Sequence, residues 1–469
     1  MLIWTLLACA RTWVCGPGTV DVGGVCTVSD VAQDSGSGRG HSGADSAPDS
    51  GDSGDSGEPT PLVRQVYILA GQSNMDGYSY VTGLPESWLV ADDRVPLYWS
   101  GWGEFRGLQP ASAGGNYLAG PEVPFGRALA DAGETIALVK HAVGGTDLAT
   151  YWYPGAVPGD ASAGPGFTVL LDAMGGARAA LDASGEAWRW AGFVWMQGES
   201  DALAAGTADL YEANLTRLIS AMRTVSGEDE LPAYIGLISR EAVWTYADTV
   251  RDAQQAVADA DANVVTIETD DLPRNPNDTA HYDGSSERAM GLRFARAVET
   301  GVDVPAGSDA PTPAMTVSAW RTDYDFTGTC GWSFSLSRSV ILTDVGAFAP
   351  STYLYTSADL GIWNAAGELV ARANVPSWLD APASYRGGFW YRAVEPVELP
   401  PGDYRVGVVS WAGDTDRYGN DAVGTMSGGF AFGQPVYAEG YWLTYPVNTA
   451  ATPGMSFIGP NFMTVAAGD

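Results

Sequence analysis

The stretch Arg64–Gly77, RQVYILAGQSNMDG, sets Ser73 three residues beyond the end of an apolar run, Val66–Ala70, that stops abruptly at Gly71. A serine hydroxyl becomes a nucleophile when a base can take its proton, and three histidines could do so: His41, His141 and His281. His41 sits in a Gly/Ser/Asp tract with nothing to pack. His141 ends a second apolar run, Ile136–His141, where a satisfied or merely flanking ring is the ordinary role and a place in the pocket wall the alternative. His281 follows Asp278 by three residues. On one turn that carboxylate can reach the ring Nδ1–H and hold the tautomer whose Nε2 accepts a serine proton. Neither feature means much by itself. A lone serine after a strand is ordinarily a polar turn, and Asp-x-x-His is common by chance.

The elements that would position these residues give them weight. Val66–Ala70, Thr135–Val143, Ala191–Met196, Tyr234–Ile238 and Val264–Ile267 read as buried strands, with Arg94–Trp99 extended. Between them Phe125–Ala132, Phe167–Ala183, Asp209–Val225, Tyr246–Asp259 and Ser286–Val298 carry apolar residues at helical spacing. Such alternation predicts an α/β fold, a parallel sheet sandwiched by helices. Ser73 follows the first strand, Gly144-Gly145 the second, Gln197-Gly198-Glu199 the third and Asp278…His281 the fifth. In open parallel sheets sites lie beyond the carboxyl ends of the strands, so these groups should gather along one edge.

With that order established, Gly71-Gln72-Ser73-Asn74-Met75, Lys140–Thr146 with Trp152, Trp195–Asp201 and Asp278–His281 resemble the sialate O-acetylesterase-like hydrolases, close to carbohydrate esterase family 6 of the SGNH superfamily. The resemblance spans roughly residues 63–300 and implies a flavodoxin-like three-layer sandwich. It implies Ser73 as nucleophile, His281 as base and then acid, and Asp278 as the orienting carboxylate. It also implies an oxyanion hole from the Ser73 N–H, an N–H of the Gly144-Gly145 pair and the Gln197 side-chain amide. Gln72, Asn74, Glu199 and Asp201 are expected to support the site by hydrogen bonding. The implied reaction is removal of O-acetyl groups from a carbohydrate, with acetylated xylan or another polysaccharide ahead of O-acetylated sialic acid. No cofactor and no metal is implied. The rivals are an esterase for other short acyl esters and a non-catalytic surface carbohydrate-binding protein on a hydrolase fold.

The rest of the 469-residue chain frames that region, and its net charge of −32 argues against nucleic acid and anionic membranes as partners. Met1–Ala10 is apolar, too short to span a bilayer and without a positive n-region. Leu6-Leu7-Ala8-Cys9 resembles a bacterial lipobox, so an extracytoplasmic protein, secreted or lipid-anchored at Cys9 to the bacterial surface, is expected. Cys15 and Cys26 bracket a turn-rich segment that could close as a disulfide loop, and Cys330 reads as a buried free thiol. No Cys/His cluster has zinc spacing. The expected organisation is an export segment and Cys loop at 1–28, an acidic Gly/Ser/Asp tether at 29–61, the esterase domain at 62–300, a linker at 301–313 and an all-β sandwich at 314–469. In the last of these, Trp363, Trp378, Trp390, Trp411 and Tyr418 are expected mainly in the core, with glycan contact as the alternative for the C-terminal domain. Asp414, Asp416, Asn420 and Asp421 read as a solvated turn rather than a calcium loop.

Overall fold

The structure, a computed structural model, describes residues 62–469 apart from 276, 308, 322–325, 350–353, 378–383, 412–417, 452–453 and 468–469, together with the strands Thr19–Val22 and Val25–Val28. Those two strands form an antiparallel ribbon. The expected Cys15–Cys26 bridge, the lipobox at Cys9, the acidic tract, Trp378, Asp414 and Asp416 fall outside the described residues.

Seven strands build the first sheet: β1 (Arg64–Gly71), β2 (Asp92–Trp99), β3 (Glu104–Leu108), β4 (Ile136–Ala142), β5 (Trp188–Met196), β6 (Ala233–Gly236) and β7 (Val264–Ile267). Their order across the sheet is β7-β6-β5-β1-β4-β2-β3. All neighbours are parallel except the edge pair β2–β3. β1 lies between β5 and β4, which is why its Val66, Ile68 and Leu69 are wholly buried and why it reads as a continuous apolar run. The helices α1 (Glu122–Asp131), α2 (Pro165–Ser184), α3 (Tyr211–Ser226), α4 (Ala247–Ala260) and α5 (Gly284–Thr300) match the expected segments to within a few residues. The Gly- and aromatic-rich stretch after Trp99 contributes β3, whose five residues carry a glycine and too little alternation to read as a strand.

From residue 312 on, every strand pairing among the described residues is antiparallel. One five-stranded sheet is centred on Val340–Phe348, and one six-stranded sheet has Gly402–Ser410 and Gly328–Leu336 in its middle. Trp332, Phe334, Tyr391 and Phe462 fill the core between them. Trp363, Trp390 and Tyr418 are buried as expected of core aromatics, whereas Trp411 is exposed, and Cys330 is buried as expected.

Residues 61–469 pack as one compact unit. Arg288 of α5 holds Asp344 of the strand Val340–Phe348 through Nη2–Oδ2 at 2.5 Å, with both side chains buried, and donates a second bond to the Gly83 carbonyl at 2.6 Å. Arg386, on the short strand Ser384–Arg386, donates through Nε and Nη2 to Asp283, whose Oδ1 caps α5 by accepting from Ser286 N at 2.9 Å. Arg392 reaches Glu86 at 2.5 Å. Removing one partner of a buried ion pair strands the other charge, at a cost of roughly 3–5 kcal/mol. Asp344→Ala should therefore lower stability by about that amount in urea denaturation. The double variant Arg288→Met/Asp344→Leu should recover most of it. A double variant as unstable as the single one would deny the pair this role.

Candidate active site

β1 ends at Gly71 because nothing larger fits. Its φ is +149°, and a Cβ placed there would lie 2.0 Å from the Met196 carbonyl oxygen of β5. The chain turns, Gln72 N donates to that same carbonyl at 3.0 Å, and Ser73–Asp76 follow as a single helical turn. Ser73 is thereby set at the carboxyl edge of the sheet, 7% exposed, in the wall of a cleft of about 580 Å³.

The other wall is built from the turn after β4 and the segment before α5. Gly144, Gly145 and Asp147 come from the first of these, and Ala280 and His281 from the second. A Cβ on Gly144 would lie 3.4 Å from Ser73 Cβ and 3.2 Å from Tyr78 Oη, so this backbone stands directly against the serine. His281 Nδ1 meets Asp278 Oδ2 at 2.5 Å. The two were expected on one turn. They lie instead on the strand Asp278–Tyr282, paired antiparallel with Arg274–Asn275, and the contact forms along that strand. Ser73, Gly144, Gly145 and His281 are thus brought together, with Asp278 behind the imidazole.

Asn74 joins the two walls. Its Nδ2 donates to Glu199 Oε1 at 2.6 Å and to the Ala280 carbonyl at 3.4 Å, while its Oδ1 accepts from Tyr282 N at 3.4 Å. The neighbour of Ser73 therefore touches the residues on both sides of His281. Ser79 Oγ adds a bond to the Tyr282 carbonyl at 2.7 Å. Glu199 is fully buried, and burial holds its carboxyl above the usual range.

Gln197 does not reach the cleft. The expectation that its amide completes an oxyanion hole fails because that amide is used inside the protein. It donates to Asp201 Oδ2 at 2.6 Å and to the Thr146 carbonyl at 3.0 Å, and the residue has no exposed surface. Of the two glutamines, Gln72 stands on the cleft wall, its Oε1 accepting from Ser200 N at 3.2 Å and Gln197 Nε2 at 3.3 Å. Asp201 also accepts from Leu148 N at 2.9 Å, and burial pushes its carboxyl up to about 6. Gln197, Glu199 and Asp201 form the floor beneath the cleft rather than its wall.

His141 is likewise absent from the cleft wall. It is buried beside Trp152, its Nδ1 sharing a 2.8 Å hydrogen bond with Ser100 Oγ, and burial lowers its pKa to about 4. Several cleft residues escaped the sequence reading. Tyr78 stacks on the His281 ring at 4.6 Å and 16°, and Trp244 and Leu203 line the far side. An aromatic five residues past the serine was the signal for Tyr78; nothing in the sequence singled out Trp244. Among the described residues, no group of three or more His, Cys, Asp or Glu is placed to hold a metal, and no helix is long and apolar enough to cross a membrane.

The family described as carbohydrate esterase, sialic acid-specific acetylesterase matches residues 63–300, about half of the chain. No curated protein sequence matches. Among solved structures, a protein from Arabidopsis thaliana is similar at 22% identity and a TM-score of 0.42, over 51% of this chain and 98% of that one. A carbohydrate acetylesterase from Xanthomonas citri is similar at 16% identity and a TM-score of 0.39, over 77% of this chain and 81% of that one. The protein NanS is similar at 18% identity and a TM-score of 0.38, over 52% of this chain and 98% of that one.

Two outcomes follow from this geometry. Gly71→Ala forces a methyl group into the Met196 carbonyl, so it should abolish folding or shift the serine turn. Loss of soluble protein or of catalytic activity checks this, and a fully active, equally stable variant would contradict it. The second concerns pH. An unfolded chain takes up a proton on His141 near pH 6.5, which the folded one refuses until about 4. Stability from this residue is therefore complete above 6.5 and falls with pH toward 4, by at most roughly 3 kcal/mol. His141→Gln should lose less stability than the parent between these pH values in urea melts. Identical slopes would rule out a buried neutral imidazole.

Proposed function

The chain belongs to the sialic acid-specific acetylesterase family of carbohydrate esterases, and we propose that it is a serine esterase releasing acetate from O-acetylated neutral polysaccharide. The observation that carries this reading is the meeting of Ser73, the Gly144-Gly145 backbone and the Asp278-held His281 in one cleft. Ser73 Oγ attacks the acetyl carbonyl carbon as its proton passes to His281 Nε2. The oxyanion forms against backbone N–H groups of Ser73 and the glycine pair, each such donor being worth roughly 2.7–4 kcal/mol in a transition state. The ester C–O bond then breaks, and His281 returns the proton to the departing sugar hydroxyl. Water adds to the acetyl-serine with His281 again as base, and acetate leaves. Asp278 holds Nδ1–H throughout and supports the imidazolium that forms.

Charge in the cleft supports a neutral sugar over sialic acid. Among the described residues lining the cleft there is no Lys or Arg to meet a sugar carboxylate, and Asp147 places an acidic side chain there. Tyr78 and Trp244 offer aromatic faces, and Thr207 and Ser200 offer polar partners for hydroxyls. The same reading includes contact between the C-terminal strands and the polymer. It also places the protein outside the cytoplasm, secreted or anchored at Cys9, on the strength of the lipobox-like Leu6–Cys9.

Acetate release from acetylated xylan, acetylated glucomannan and O-acetylated sialic acid tests this. The parent should act on a neutral polymer in preference to the sialic acid. Ser73→Ala should lose roughly 10⁴-fold or more in kcat. Full activity in Ser73→Ala would remove the nucleophile, and a preference for the sialic acid would remove the substrate class.

A further inference from the structure

Away from the active-site cleft, a second groove of about 360 Å³ opens on the six-stranded C-terminal sheet. We propose that it binds a neutral glycan chain by stacking pyranose rings on Trp411, Tyr441 and Trp442. The protein buries its largest rings elsewhere: Trp152, Trp195 and Trp332 have no exposed surface. By contrast Trp411 is 43% exposed, Tyr441 64% and Trp442 80%, and all three border this one groove. Aromatic area left in water at one place is a feature that a binding partner would remove. Trp411 and Tyr441 lie 5.9 Å apart with their planes 35° from each other, which presents a shallow, angled pair of faces rather than a closed pocket.

The polar side of the groove suits hydroxyl groups. Asp359 and Asn374 face each other across the antiparallel pair Ala358–Asn364 and Leu369–Val375, joined by Asn374 Nδ2 to Asp359 Oδ1 at 2.9 Å. Arg372, two residues from Asn374 and so on the same face of its strand, stands 3.8 Å from Asp359 Oδ2 with more than half of its side chain exposed. A carboxylate, a carboxamide and a guanidinium therefore rim the aromatic faces. A pyranose ring matches that pattern, its C–H face apolar and its rim carrying hydroxyls that both donate and accept. The chain's net charge of −32 opposes a polyanion, which leaves a neutral glycan as the occupant. The site is independent of the esterase chemistry, though it would serve it by keeping polymer near the cleft.

Binding to deacetylated xylan, glucomannan and β-glucan, measured by affinity electrophoresis with the full chain, reads this site without engaging ester hydrolysis. The parent should be retarded by at least one of these polymers. Trp442→Ala and Trp411→Ala together should weaken that binding about tenfold or more. The Trp442 carbonyl, which accepts from Thr329 Oγ1 and Thr444 Oγ1, survives the substitution, so the loop keeps its backbone bonds. Hydrolysis of a small soluble acetate ester should be unchanged in the double variant. An inactive parent that still binds polymer would sink the esterase reading and leave this one standing. No retardation by any of the polymers, or equal retardation of parent and variant, would overturn the groove proposal. Self-association abolished by the same substitutions would overturn it too, by assigning the face to a second copy of the chain.

Discussion

The site depends on one carboxamide. Asn74 sits beside Ser73 in the chain, and its two ends touch Ala280 and Tyr282, the residues on either side of His281. Two segments two hundred residues apart are thus held against each other by a side chain that belongs to the serine turn itself. The bond from Nδ2 to Glu199, at 2.6 Å, keeps that carboxamide from rotating, since only one orientation gives Glu199 a donor. Glu199 is raised by burial and has a second oxygen without a protein partner, so it contributes an unusual amount of local cost for one hydrogen bond. Buried polar networks of this kind favour a single arrangement, and here that arrangement is the placement of the Ser73 turn against the segment carrying His281.

Under the same turn lies a second costly device. Lys140, the single lysine of the chain, is completely buried and paired with buried Glu122 at 2.7 Å. Its remaining protons go to the carbonyls of Asp76 and Ala111, at 2.9 and 2.7 Å. A buried pair of this kind adds little net stability, because desolvation consumes most of the Coulomb gain. Its geometry, however, fixes the end of the serine turn to α1 and to the loop before it. Burial pushes the carboxyls of Asp76, Glu199 and Glu287 upward in this region, and Lys140 opposes that shift at Asp76 and Glu287.

Most of the sheet was legible because β1, β4 and β5 are covered on both faces and carry continuous apolar stretches, Val66–Ala70, Ile136–Val139 and Trp190–Met196. Ser73, the glycine pair and His281 were legible for a related reason: each comes after a strand of the sheet, and parallel strands bring their carboxyl ends to one edge. What failed was the assignment of side-chain direction. Gln197 follows β5 as closely as Gln72 follows β1, yet Asp201, one helical turn further on, draws its amide inward. Sequence spacing ranks which residues are near a site but not which lone pair wins the donor. β3 and Trp244 were invisible for a simpler reason. The first is a short edge strand with a glycine inside it, and the second stands in a loop whose conformation only tertiary contacts decide.

The segment bearing His281 also explains why the C-terminal strands cannot be regarded as a detachable appendage. A ribbon of two short strands, Arg274–Asn275 and Asp278–Tyr282, has too little surface to hold its own shape. Asn74 and Ser79 restrain it from the side of the serine. On the other side the chain enters α5 through Asp283, two residues past His281, and Arg386 grips that cap from the C-terminal sheet. Arg386 also donates to Ser285 and Ser286, and Ser384 Oγ accepts from Ser285 N at 3.1 Å. A guanidinium is suited to this task, since its planar fork can hold a carboxylate and neighbouring hydroxyls at once. The imidazole therefore stands on a segment whose two ends are fixed by different parts of the chain, one by the parallel sheet and one by the antiparallel strands. Loosening either end would leave Ser73 in place and move His281.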